Sequence, residues 1–159
     1  MRVSSLTILV GTMTGTAELV AEEVCDALAL AGVDAEVLPM DRLSPEVFER
    51  AGAFLICSST YGQGDVPDNA QAFFAALENS RPDLNRVRYG VIALGDRTYA
   101  QTFCFGGKRF DQLLASLGAQ RLGELLLHDA SAGTVPEEIA VAWVQDWARS
   151  FLGECSKAA

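Results

Sequence analysis

At 159 residues the chain amounts to a single domain, able to bury about two-thirds of its unfolded surface in one core. Half of it is hydrophobic, yet no apolar run nears the roughly 20 residues that a membrane-spanning helix needs, so a soluble globular protein is expected. A formal charge of −9 argues against binding nucleic acid through its phosphates; it suits a cationic protein partner, though acidity of this kind serves plain solubility equally well.

Arg2 precedes "LTILV" (Leu6 to Val10), a run too short for a secretory leader, interrupted by "GTMTGT" and followed by no small-residue cleavage site. It reads as a first buried strand, and the expected compartment is the cytoplasm. Val20, Val24, Ala27, Leu28 and Ala31 then share one face of a helix that stops at Gly32. "AEVL" (Ala35 to Leu38) and "AFLICS" (Ala53 to Ser58) are the second and third strands, and Phe73, Phe74 and Leu77 mark a helix after Asp68. "YGVIAL" (Tyr89 to Leu94) is the fourth strand; Phe110, Leu113, Leu114 and Leu117 predict a helix before Gly118, and "LGELLL" (Leu122 to Leu127) is the fifth strand. The last helix opens at "TVPE", with Thr134 as cap and Glu137 reaching back, and carries Ile139, Val141, Trp143 and Trp147.

Strands alternating with helices through right-handed crossovers predict one α/β domain over residues 1–159. The architecture is a three-layer sandwich around a five-stranded parallel sheet in the order 2-1-3-4-5, with its ligand beyond the carboxyl ends of strands 1 and 3, where the order reverses. The cysteines Cys25, Cys57, Cys104 and Cys155 are scattered without a C-x-x-C, and His128 is the chain's one histidine, so neither a metal site nor a disulfide framework is expected. Cys25 and Cys57 read as small buried hydrophobes and His128 as a strand-end residue.

Three loops leave three strand ends. "GTMTGTAE" places Thr12, Thr14 and Thr16 with Gly11 and Gly15 ahead of the first helix, where hydroxyls and amides converge on the positive end of the helix dipole. No lysine follows Gly15 as a triphosphate loop requires, and G-x-G-x-x-G is missing, so one terminal monoester is the phosphate that the donors suit; a Thr-rich cap without a ligand reads the same residues equally well. "SSTYGQGDVPDN" (Ser58 to Asn69) sets Tyr61 beside Gly62 and Gly64, and "LGDRTYAQTFCFGGKRFD" (Leu94 to Asp111) offers Tyr99, with Phe103 packed below. A phosphate cradle beside two aromatic loops suits a flat aromatic ligand with a phosphate tail.

Those three segments, in that order and across nearly the whole chain, resemble the FMN loops of the flavodoxin-like proteins: short-chain flavodoxins, nearest to the MioC type, and the FMN domains of diflavin reductases. The resemblance implies a flavodoxin-like fold and puts the FMN phosphate on Thr12, Met13, Thr14, Gly15 and Thr16 and the isoalloxazine between Tyr61 and Tyr99. Ser59, Thr60, Gly62, Leu94, Gly95, Asp96, Phe103 and Cys104 would line the ring and ribityl chain, and Asp129 matches an acidic position near the site. Ala100, Gln101 and Thr102 separate Tyr99 from Phe103, where related proteins usually have two residues, and there is no room at "LGELLL" for the insertion of long-chain flavodoxins.

The implied function is one-electron transfer through FMN between an NAD(P)H-dependent flavodoxin reductase and a redox acceptor protein, both with basic docking faces, involving neither nucleic acid nor membrane. An acidic shell of Asp65, Asp96 and Asp129 would disfavour further negative charge on the flavin, and Gly62 would let its peptide turn toward the ring. No catalytic residue is assigned. Two other readings stay open: an FMN-dependent NAD(P)H quinone or nitro reductase, and a non-redox, receiver-like module.

Overall fold

The apolar runs become strands because a parallel sheet buried on both faces tolerates no polar alternation. The computed structural model describes residues 5–12, 15–60, 65–96, 101 and 103–151. In chain order the elements are β1 (Ser5–Gly11), α1 (Thr16–Leu30), β2 (Asp34–Pro39), β3 (Ala53–Ser58), α2 (Asp68–Ser80), β4 (Arg88–Gly95), α3 (Phe105–Ser116), β5 (Gln120–Arg121), β6 (Leu126–Asp129) and α4 (Pro136–Phe151). The described strands pair in parallel in the order β2-β1-β3-β4-β5, with β6 also on β4. This is the predicted flavodoxin-like order.

β3 is buried along its whole length and β1 from Leu6 onward, whereas β2, at the edge, is never fully buried. Alternate residues of the central strands feed two cores. Leu9, Phe54, Ile56 and Val91 meet α2 and α3 through Phe73, Leu77, Phe110 and Leu114. Ile8, Val10, Leu55, Cys57 and Ile92 meet α1 and α4 through Val20, Val24, Val144 and Trp147.

The sequence expectations need correction in places. The fifth strand does not run from Leu122 to Leu127: β5 and β6 share one lane beside β4, the Leu122 N–H still donates to the Tyr89 carbonyl at 2.7 Å, and residues 123–125 leave the lane. Gly123 at φ 76° turns the chain there, and the Trp147 indole donates to the Leu122 carbonyl at 2.7 Å in place of a ladder bond. The last helix starts at Pro136, two residues past Thr134, whose hydroxyl meets Nε2 of the buried His128 at 3.0 Å. That helix buries Ala140, Val144, Trp147 and Ala148, leaving Ile139 exposed. Cys25 is only half-buried, its thiol donating to the Ala35 carbonyl.

Candidate functional site

Parallel register brings the strand ends to one edge of the sheet: Gly11 lies opposite Ser58, Ser58 opposite Ala93, and Gly95 opposite Asp129. Every loop singled out in the sequence therefore leaves the sheet at the same end. Ser59 continues the alignment, its N–H donating to the Gly11 carbonyl at 2.9 Å.

The first loop ends on an uncapped helix. Thr12 Oγ1 accepts from the Gly15 N–H at 2.9 Å, and Gly15, at φ 94°, is the N-terminal boundary residue of α1 with no side-chain cap. A Cβ built at Gly15 would meet nothing within 4 Å among the described residues. Below the mouth, the Cys57 thiol donates to the Ala17 carbonyl at 3.4 Å and pins the first turn of α1 to β3; burial pushes the pKa of that thiol up to about 12. The first-turn backbone N–H groups at the positive end of a 15-residue helix without a side-chain cap are the donor set that a phosphate monoester needs. Thr12 and Gly15 are half-buried and Thr16 is exposed at this mouth; Met13 and Thr14 lie outside the described residues.

The second and third loops are joined at their roots. The half-buried Thr60 hydroxyl donates to the Leu94 carbonyl and accepts from the Gly106 N–H, both at 3.0 Å. Gly106 permits this: a Cβ there would lie 2.1 Å from the Ser59 carbonyl oxygen. Tyr61, Gly62 and Tyr99 lie outside the described residues, as do Ala100 and Thr102. What is described is the floor between the two loops: Ser59, Thr60, Gly95 and Asp96 half-buried, with Leu94 buried.

Phe103 and Cys104 point inward. Phe103 belongs to the core on the α2 and α3 side, with Lys108 Nζ 5.8 Å from its ring centre. Cys104, at φ 58°, opens α3, and its fully buried thiol lies 3.3 Å from the Ala93 carbonyl and 3.6 Å from that of His128, tying β4 to β6. The acidic positions are partly engaged. Asp65 pairs with Arg109 at 4.0 Å, and Asp129 Oδ1 accepts from both the N–H and the hydroxyl of Ser131.

Sequence reasoning passed over Asn69 and Gly106. Asn69 was visible as the end of "SSTYGQGDVPDN", but its contact runs across 57 residues to Thr12, beyond any local pattern. Among the described residues no group of three or more His, Cys, Asp or Glu side chains could hold a metal ion, and no helix is long and apolar enough to cross a membrane.

Comparison with known proteins agrees with the fold. The family model described as Flavodoxin matches residues 8–143. Flavodoxin YqcA of Escherichia coli K12 is 44% identical over 140 residues, covering 88% of this chain and 93% of that protein. Protein MioC of the same organism is 37% identical over 144 residues, covering 91% and 96%. Among solved structures, a cysteine-to-alanine mutant of a flavodoxin from Pseudomonas aeruginosa superposes with a TM-score of 0.81 at 36% identity, covering 91% of this chain and 96% of that one.

Proposed function

The chain belongs to the flavodoxin family of FMN-binding electron-transfer proteins, and from that membership we propose that its FMN is anchored by the phosphate at the mouth of α1, with the ring over the roots of the second and third loops. The observation that carries this placement is the start of α1 without a side-chain cap, at the same sheet edge as the Thr60 tie between those loops. Bound FMN supplies the redox chemistry; the protein supplies position and electrostatics.

In this placement Thr12 and Thr16 flank the phosphate with Met13 and Thr14, and the α1 amides give it charge-assisted hydrogen bonds without a cation. Ser59, Thr60, Gly62, Leu94, Gly95 and Asp96 bound the ribityl and ring, Tyr61 and Tyr99 stack on it, and Phe103, Cys104 and Asp129 support the walls from below. A net charge of −9 opposes placing more negative charge on the flavin, making the reduced protein a ready donor. The same acidity fits electron exchange with a reductase and an acceptor that present basic faces, in the cytoplasm.

The purified protein should be yellow, and heat should release FMN rather than FAD. Bound flavin should stay oxidised with NADPH alone and bleach when a separate NADPH-dependent flavodoxin reductase is added. Rapid bleaching by NADPH alone would point to a self-sufficient reductase instead.

A further inference from the structure

β2 runs out one residue before β1 does. Its register ends at Val10 opposite Pro39, and the chain then turns away through the 3-10 segment Met40–Arg42. In a parallel ladder the residue opposite Gly11 would donate its N–H to the Val10 carbonyl and accept the N–H of Thr12. The register of β2 stops at Pro39, so no residue of β2 is paired opposite Gly11 to accept the Thr12 N–H.

Asn69, in the first turn of α2, takes that place. Its Nδ2 donates to the Val10 carbonyl at 3.3 Å, and its Oδ1 accepts the Thr12 N–H at 2.7 Å. A carboxamide is a planar unit with a donor and an acceptor, as a backbone peptide is, and here it continues the missing strand. Close packing holds α2 in place to do so. A Cβ on Gly11 would come within 3.2 Å of Ala70 Cβ and 3.3 Å of Met40 Sδ.

Beyond this clamp the chain holds itself. Thr12 Oγ1 fixes the Gly15 N–H at 2.9 Å, and Gly15 opens α1. The Thr12 backbone is therefore the fixed root from which the phosphate loop springs. We propose that Asn69 is a positioning residue for FMN binding, whose carboxamide clamps β1 on both sides of Gly11 and sets the phosphate loop against the mouth of α1; this role rests on the phosphate being held there.

Apoprotein titrated with FMN and with riboflavin, which lacks only the phosphate, tests the proposal in wild type, Asn69→Ala and the shape-keeping Asn69→Leu. Wild type should bind FMN on the order of 100-fold tighter than riboflavin, from charge-assisted bonds to the phosphate. Both variants should bind FMN about 10-fold more weakly and riboflavin within about threefold of wild type, because the clamp acts on the phosphate end. Equal weakening of both ligands, or of neither, overturns the role of Asn69. Equal affinity of wild type for FMN and riboflavin overturns the phosphate placement itself, and the clamp falls with it.

Discussion

Gly106→Ala addresses the point where the second and third loops meet. The added methyl would lie 2.1 Å from the Ser59 carbonyl oxygen, 3.0 Å from the Ser59 carbonyl carbon and 3.1 Å from Thr60 Cα. The obstacle is backbone, so the two loop roots must part by about an ångström, at the upper end of the cost of overpacking, about 3 kcal/mol. Separation also lengthens the 3.0 Å bond from the Gly106 N–H to Thr60 Oγ1, costing about 1 kcal/mol. Alanine regains at most ~1 kcal/mol of helix propensity at the start of α3. The net loss is about 3 kcal/mol, which for a domain of this size lowers the midpoint of thermal unfolding by roughly 6 to 12 °C. Circular dichroism melting of the apoprotein measures it, and flavin titration should show weakened binding of FMN and riboflavin alike, since the damage is under the ring. Apoprotein melting within about 1 °C of wild type, with unchanged flavin affinity, would refute this close approach of α3 to the second loop.

Three further substitutions probe the frame. Thr60→Val keeps shape but removes the acceptor for Gly106 and the donor to Leu94, and should cost about 1 to 2 kcal/mol in urea unfolding of the apoprotein; no change would mean the tie carries no load. Thr12→Ala frees the Gly15 N–H from its 2.9 Å bond and should weaken FMN more than riboflavin in parallel titrations; equal weakening of the two would separate Thr12 from the phosphate end. The Cys57 thiol pKa is raised from 9.0 to about 12 by burial, so between those values the unfolded chain loses a proton that the folded one keeps. Stability from this group is full below pH 9.0, falls through the window at up to about 1.4 kcal/mol per pH unit, and levels off above it. Cys57→Ala should therefore flatten the decline in urea-derived stability between about pH 9 and 10.5; an unchanged slope would place the thiol in a more solvated setting.

The strand order was legible because each central strand is mostly apolar, and β3 matches "AFLICS" residue for residue. The fifth strand was misread for the same reason: "LGELLL" is apolar nearly throughout, while the turn at Gly123 and the indole bond to Leu122 depend on a helix that follows in sequence. Apolar spacing also misplaced Ile139 toward the core, because Ala140 and Val144 lie closer to α1 and the sheet and leave it at the rim. Thr134 looked like a cap by motif alone, yet the buried His128 claims its hydroxyl. At the site, the motif residues were visible one by one as threonines, glycines and aromatics. Their supports, Asn69 across 57 residues and Gly106 across 46, were invisible because they act through contacts with residues far away in sequence.

The most direct test of the phosphate placement is the crystal structure of the FMN-loaded protein. Phosphate oxygens should lie about 2.7 to 3.2 Å from the backbone N–H groups that open α1, with no lysine or arginine in contact. A phosphate reaching solvent, or held by an arginine away from that helix mouth, would contradict it.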